Sequence, residues 1–193
     1  MSGPAIDYEK VYLKPAELCI SRVPTLVTTI LGSCVAVTMR HPKLGVSAIC
    51  HALQPDCSRR STECARHCDK KYQYVSCVIP EMLSRLETVG ANREMLEVKL
   101  FGGAAVLTTS TNQSIGRQNI DVALATLKHL GFDLKAHQVG GTRGRKIIFN
   151  THTGEVSLKY IQYTEVLRSI GTVQQKNGSE RDRQSWSRHS IRH

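Results

Sequence analysis

The stretch PTLVTTILGSCVAVTMRHPKLGVSAICHA, residues 24–52, decides the fold of this chain. Residues 24–31 are rich in β-branched and apolar side chains and end at Gly32, which predicts a buried strand closed by a tight turn. Residues 34–40 and 45–52 are separated by His-Pro-Lys-Leu, and a proline at the second position of a four-residue turn favours a hairpin. We therefore predict a three-stranded meander.

A cysteine and a histidine stand at the two ends of the predicted hairpin. A turn centred between Pro42 and Lys43 makes Cys34 and His51 directly opposed partners. Opposed side chains have Cβ atoms about 4.5–5.5 Å apart, which brings a thiol within reach of an imidazole. Such a pair suits nucleophilic catalysis, because the thiolate attacks and a neighbouring imidazole activates it. The alternative is a small core cysteine beside a structural histidine.

The neighbouring residues offer the other groups that such a pair needs. Thr28, on the preceding strand, can present a hydroxyl or a carbonyl to the second ring nitrogen of the histidine. Strand alternation puts Thr29 on the opposite face. The turn at Gly32 and Ser33 can aim backbone N–H groups at the carbonyl under attack, as an oxyanion hole. We therefore expect a site built from Cys34, His51, Thr28 and this turn.

The rest of the chain predicts a single α/β domain over residues 1–171, with a mixed, largely antiparallel sheet packed against helices. Residues 53–74 are polar and without clear period, which indicates one long loop. The tail, residues 172–193, is rich in Gln, Asn, Ser and Arg, and we expect it to be disordered and basic. The further predicted elements are helices over 80–89 and 115–130 and strands over 95–101, 133–139, 145–149 and 155–163.

Composition limits the functional classes. The chain has 193 residues, 40% of them hydrophobic, and contains no apolar run near the roughly 20 residues of a membrane span. The N-terminus lacks the pattern of an export signal, so we expect a cytoplasmic protein without membrane insertion. Seven cysteines are an odd number, which favours reduced thiols over a disulfide framework. The net charge of +10 is spread over the chain, which argues against a nucleic-acid surface.

Two motifs suggest a metal or a phosphate group, and neither has the required spacing. Cys57, Cys64 and Cys68 lack the paired C-x2-C knuckles of structural zinc sites, so we expect no metal. GGTRGRK, residues 140–146, lacks the Walker order of Gly-Lys-Ser/Thr and a following helix. We therefore predict a glycine-rich strand connection there, and no cofactor.

The segment LGSCVAVTMRHPKLGVSAICHALQP resembles the opening of the CheD family, the glutamine deamidases of bacterial chemoreceptors. The family pattern is a Gly-Ser-Cys followed seventeen residues later by His, as in Cys34 and His51. The resemblance continues, in order, through KLFGGAAVL at 99–107, IGRQNIDVALATLKHLG at 115–131 and VGGTRGRKIIFNTHTGEV at 139–156.

The resemblance implies an activity and a role for each site residue. It makes Cys34 the nucleophile, His51 the general base and Thr28 the residue that orients the histidine. The implied reaction converts receptor glutamine to glutamate through a thioester and releases ammonia. Methyl-accepting chemotaxis receptors are then the protein substrate, and a CheC-like phosphatase is an implied partner. Arg143 and Arg145 are candidates for docking an acidic receptor surface.

Two other functional classes remain open at this point. One is a non-enzymatic chemotaxis adaptor, which binds the receptor or a CheC-like phosphatase and needs no activated cysteine. The other is a basic nucleic-acid-binding protein, whose affinity collapses with added salt.

Overall fold

A computed structural model describes residues 6–57, 70–106 and 114–161. Within these ranges the chain forms nine strands and two α-helices. The strands are β1 Glu9–Tyr12, β2 Glu17–Ser21, β3 Thr25–Leu31, β4 Val35–His41, β5 Val46–His51, β6 Glu97–Gly102, β7 Leu134–Val139, β8 Gly144–Asn150 and β9 Val156–Ile161. The helices are α1, Val75–Thr88, and α2, Ile115–His129, and short 3-10 turns span Lys71–Gln73 and Arg93–Met95.

The strands form two sheets. We call β1-β3-β8-β9 the outer sheet and β2-β5-β4-β6-β7 the central sheet, each in spatial order. Neighbouring strands are antiparallel except in the pairs β1–β3 and β6–β7. The prediction of an α/β fold with mixed, largely antiparallel pairing and packed helices is confirmed.

The predicted meander is wrong in one respect, because β3 does not pair with β4. β3 pairs with β1 and β8 in the outer sheet, while β4 and β5 form the predicted hairpin in the central sheet. The turn at Gly32 and Ser33 therefore carries the chain from one sheet to the other. Two adjacent buried strands in sequence can pair side by side or face each other across a core, and local sequence does not distinguish these arrangements.

Two apolar cores separate three layers. The first lies between the sheets and includes Val27, Phe149 and Ile49. The second lies between the central sheet and the helices and includes Val37, Ile79 and Leu127. The central sheet is thus covered on both faces, and β5 is buried along its whole length. This explains why β4 and β5 are nearly continuous apolar runs rather than alternating ones.

The helices match the prediction except at one end. α1 begins at Val75, five residues before the expected start, and Pro80 lies inside it. The buried residues of α1 follow helical spacing from Val75 onward, and this packing outweighs the hydrogen bond that a proline inside a helix removes. α2 begins as expected, where the Ser114 side chain accepts a hydrogen bond of 3.2 Å from the Arg117 backbone N–H.

Some expectations concern residues outside the described ranges. These are the basic tail over 172–193, with the end of the domain before it, and two of the loop cysteines, Cys64 and Cys68. In the part of the chain that is described, no helix is long and apolar enough to cross a membrane.

Candidate functional site

Cys34 lies in the turn that joins the two sheets, immediately before β4. Its side chain is partly exposed and packs against the core between the sheets. Its backbone carbonyl accepts a hydrogen bond of 2.8 Å from the Gly103 N–H. A Cβ atom on Gly102 would lie 2.2 Å from the same carbonyl oxygen, and Gly102 has a φ of +108°. A residue without a side chain is therefore required beside the cysteine.

The structure brings Cys34 and His51 to the same face of the central sheet, but not as directly opposed partners. Val35 forms a bridge with Ala52, so His51 lies opposite Ala36 and is diagonal to Cys34. The predicted register is wrong by two residues. A register shift of two residues keeps the Cys34 and His51 side chains on the inner face of the central sheet, the face toward the outer sheet. A shift of one residue would have put them on opposite faces. Diagonal neighbours have Cα atoms about 7–8 Å apart, within reach of a long side chain.

The geometry of the hairpin turn explains this register. His41 pairs with Val46, so the loop between the two strands contains four residues, 42–45. The prediction had a tight turn with only Pro42 and Lys43 at its centre. The Gly45 N–H donates to the His41 carbonyl at 3.0 Å, and Gly45 has a φ of +67°. The Leu44 N–H donates to the His41 imidazole at 3.0 Å. These bonds move the centre of the turn by one residue.

A buried hydrogen-bond chain holds the His51 ring across the gap between the sheets. The Thr29 hydroxyl lies 2.8 Å from His51 Nδ1 and donates at 2.8 Å to the Leu13 carbonyl. A hydroxyl has one hydrogen, and a carbonyl can only accept, so the Thr29 oxygen accepts from Nδ1–H. Nδ1 therefore carries a hydrogen, and in the neutral imidazole the other ring nitrogen, Nε2, is unprotonated.

The expected partner of His51, Thr28, is not the one that the structure shows. Val27, Thr29 and Leu31 are buried on the inner face of β3, so Thr28 lies on the other face. The Thr28 carbonyl is also engaged, because it accepts from the Leu13 N–H at 2.9 Å. β3 has apolar residues in both alternating positions, which is why the sequence assigned the two threonines to the wrong faces.

Burial keeps both members of the pair neutral. It raises the pKa of the Cys34 thiol to about 11, an effect that the backbone N–H of the same residue partly offsets. It lowers the pKa of His51 to about 4, although the Leu13 backbone works in the opposite direction. At neutral pH the site therefore holds a thiol and an imidazole rather than an ion pair. Within the described residues, His51 Nε2 is buried and has no hydrogen-bond partner.

Asn119 is a site residue that the sequence analysis missed. Its side chain is fully buried, and its Nδ2 donates to the Ser33 carbonyl at 2.9 Å and to the Leu53 carbonyl at 3.0 Å. It thus ties the turn before Cys34 to the chain just after His51. The sequence carried one indication of this role: an amide side chain next to Ile120 on the apolar face of α2. A polar group buried there requires hydrogen-bond partners.

The carbonyls of the turn all point toward β6 and α2. The Gly32 carbonyl accepts from the Ala104 N–H at 2.9 Å, and the Ser33 carbonyl accepts from Asn119. In a trans peptide the N–H points opposite to the carbonyl of the same plane. The N–H groups of Ser33 and Cys34 are therefore directed away from β6 and α2. The oxyanion role expected for Gly32 and Ser33 stays a prediction.

Among the described residues, no group of three or more His, Cys, Asp or Glu side chains could hold a metal ion. Cys57 is buried, and the other two loop cysteines lie outside the described ranges. The expectation that this loop binds no metal stays a prediction.

The geometry defines a class of protein: a two-sheet α/β domain with a thiol and an unprotonated imidazole nitrogen on one inner face. Comparison with known proteins gives the family. The family model described as CheD chemotactic sensory transduction matches residues 58–160.

Curated relatives cover most of the chain. A Geobacter sulfurreducens protein named probable chemoreceptor glutamine deamidase CheD 2 is 45% identical over 80% of this chain and 92% of its own length. The chemoreceptor glutamine deamidase CheD of Thermotoga maritima is 32% identical over 75% of this chain and 88% of its own length. The probable deamidase CheD of Maridesulfovibrio salexigens is 34% identical over 81% and 94%, respectively. This chain belongs to the CheD family.

The buried histidine predicts a specific pH dependence of stability. Its folded-state pKa, about 4, lies below its ordinary value of 6.5, so the unfolded chain binds the proton more tightly. The contribution is complete above pH 6.5 and is lost as pH falls toward 4. We expect the free energy of unfolding to fall by about 2.5 kcal/mol more in the wild type than in His51→Gln between about pH 7 and pH 4.5.

Urea titrations of both proteins at a series of pH values measure this difference. The charged residue directly opposed to position 51 is the same in both. Glu17 on β2 is directly opposed to His51, and its carboxylate accepts the Lys14 N–H at 2.7 Å. Parallel pH profiles for the two proteins would show that His51 is not held neutral by the fold.

Proposed function

We propose that this chain hydrolyses the side-chain amide of glutamine residues in methyl-accepting chemotaxis receptors, with Cys34 as nucleophile and His51 as general base. The observation that carries the proposal is the state of the imidazole. Nδ1 is anchored to Thr29, and Nε2, on the inner face that Cys34 shares, is free to accept a proton. The relatives named as chemoreceptor glutamine deamidases support the choice of substrate.

In the first step the Cys34 sulfur attacks the glutamine side-chain carbonyl carbon. The thiol proton passes to His51 Nε2, and the carbonyl oxygen becomes an oxyanion. His51 then gives the proton to the amide nitrogen, the C–N bond breaks, and ammonia leaves. The products of this half-reaction are ammonia and a thioester between Cys34 and the substrate.

In the second step water hydrolyses the thioester. His51 takes a proton from the water as the oxygen bonds to the acyl carbon, and the C–S bond breaks. The proton returns to the sulfur, which regenerates the thiol and leaves a glutamate side chain. The neutral resting pair makes His51 essential in both steps, because a thiol with a raised pKa needs a base at the moment of attack.

The residues around the pair supply orientation and charge stabilisation. Thr29 fixes the tautomer and the direction of the His51 ring. Asn119 holds the Ser33–Cys34 peptide, so that its N–H and that of Ser33 are available to the oxyanion. Because the site is largely apolar and closed to solvent on the core side, such hydrogen bonds are stronger there than in water.

Two further parts of the proposal are a CheC-like phosphatase as binding partner, which rests on the resemblance alone, and action in the cytoplasm, which is the expectation drawn from the sequence. The contrasting class, a non-enzymatic adaptor, has no use for an imidazole that is anchored on the same inner face as a thiol.

Replacement of the nucleophile tests the proposal. Cys34→Ala should lower ammonia release from a soluble receptor fragment by about 1000-fold or more, and Cys34→Ser nearly as much, because a hydroxyl is harder to activate. Mass spectrometry of the fragment should show glutamate at the target positions with wild-type protein only. Cys19→Ala is a matched control, since Cys19 is also a partly buried thiol of the inter-sheet core.

Both variants should keep the thermal unfolding midpoint close to that of the wild type. Turnover by a folded Cys34→Ala protein would remove this cysteine from the mechanism. Equal loss in Cys19→Ala would point to damage of the core instead.

The two adjacent threonines provide a matched pair for the orienting role. Thr29→Val replaces a hydroxyl by a methyl of similar size and should lower kcat/KM about 100-fold, because the imidazole loses its anchor. Thr29→Ser keeps the hydroxyl and should recover most of the activity. Thr28→Val should stay within about twofold of wild type, since its side chain lies on the other face of β3.

Steady-state ammonia release, with circular dichroism to verify folding, measures these effects. A greater loss in Thr28→Val than in Thr29→Val would show that the other threonine orients the ring during catalysis.

A further inference from the structure

A concave pocket lies at the same end of the domain as Cys34. It is an open concavity of about 270 Å³, lined by residues 138–143 and by Tyr160. The end of β7 forms one side, and β9 forms the other. The Gly140 N–H donates to the Gly102 carbonyl at 2.9 Å, and Gly102 itself lies against Cys34. The pocket wall is therefore connected to the turn that carries the nucleophile.

A buried positive charge lies under this pocket. Arg145 is 1% exposed, and its guanidinium donates to the Gln138 and Gly140 carbonyls. Within the described ranges its Nε has no partner and no carboxylate forms an ion pair with it. This corrects the expectation that Arg145 docks a receptor surface directly. A buried guanidinium that is held by carbonyls and faces no carboxylate keeps its charge, and it therefore adds positive potential at this point.

Arg143 is the cation that a ligand can reach. It is exposed, and its guanidinium lies 4.9 Å from the centre of the Tyr160 ring. The same ring is 5.8 Å from the Arg145 guanidinium. Stacking on a ring face orients the guanidinium and leaves its N–H edge for a ligand. In the part of the chain that the structure describes, Arg143 forms neither a hydrogen bond nor an ion pair with a carboxylate.

The surrounding strands add to the positive potential. Lys146 and Lys159 are directly opposed on the exposed face of β8 and β9. Like charges in this position destabilise a sheet. Between residues 143 and 161 the sequence has one acidic residue, Glu155, and it lies at the far end of this pair of strands. The whole edge therefore attracts an anionic partner.

We propose that this pocket binds a carboxylate side chain of the protein substrate, close to the glutamine that is deamidated, through Arg143. The inference rests on the proposed function and adds a preference for acidic flanking sequence. A planar carboxylate matches the two parallel N–H donors of a guanidinium edge. The pocket and Cys34 lie at one end of the domain, so one substrate segment can occupy both.

The test uses two synthetic peptides with one glutamine each, flanked by glutamates in the first and by alanines in the second. Ammonia release by the full chain gives kcat/KM for both. We expect the wild type to prefer the acidic peptide about tenfold, and Arg143→Gln to reduce that ratio to near one. Arg143→Glu should instead favour a third peptide, in which lysines replace the glutamates.

Lys146→Gln is the matched control, because it removes the same charge from the exposed face of the next strand without touching the pocket. It should retain the preference for the acidic peptide. Equal loss of preference in Lys146→Gln and Arg143→Gln would contradict binding of the carboxylate in this pocket. The preference would then be explained by the overall positive charge of the protein. Equal kcat/KM of the wild type for both peptides would refute carboxylate binding in the pocket, and the proposed deamidase function would be unaffected. A wild type that releases ammonia from neither peptide nor receptor fragment would overturn both.

Discussion

The hydrogen-bonded turn from Gly32 to Cys34 is the constraint on which the rest of the site depends. Its three carbonyls are held by the Ala104 N–H, the Asn119 amide and the Gly103 N–H. The turn moves the chain from the outer to the central sheet, so the strand that anchors the imidazole faces the strand that follows the thiol. A meander within one sheet would have put Thr29 beside Cys34 rather than across from His51.

This arrangement has a chemical consequence. The pair lies between two apolar sheets, and burial there opposes charge on either group. A thiolate–imidazolium pair is therefore not the favoured resting form of Cys34 and His51. A neutral thiol is less reactive toward oxidants and stray electrophiles, and in the proposed mechanism it becomes a nucleophile only as His51 takes its proton during attack on the substrate carbonyl. Under the function proposed above, selectivity for a receptor then depends on docking, and the positive edge formed by β8 and β9 is the surface proposed to take part in it.

The sequence predicted the helices and most of the strands from local period. The hairpin and the family motif also placed Cys34 and His51 on one face of the sheet, as the structure does, and their catalytic roles stay a prediction. The predictions from sequence were wrong or incomplete where residues distant in sequence determine the position of a strand or a side chain. β1 and β2 were missed because they are short and show no alternation of buried and exposed residues. The sequence did not show which face of β3 is buried, because apolar residues occur on both faces, Leu26 and Ile30 on one and Val27 and Leu31 on the other. The bonds of Asn119 join segments 66 and 86 residues away, and no local pattern indicates such contacts.

In the proposed mechanism Cys34 carries the substrate as a thioester. Rapid mixing of the chain with a single-glutamine receptor peptide, acid quenching, and mass spectrometry of the intact and digested protein test it directly. We predict a transient species, heavier than the free chain by the peptide less one ammonia, with the added mass on the digest fragment that contains Cys34. Glutamate formed in a single turnover, without any covalent adduct at times shorter than the turnover, would contradict a thioester on Cys34.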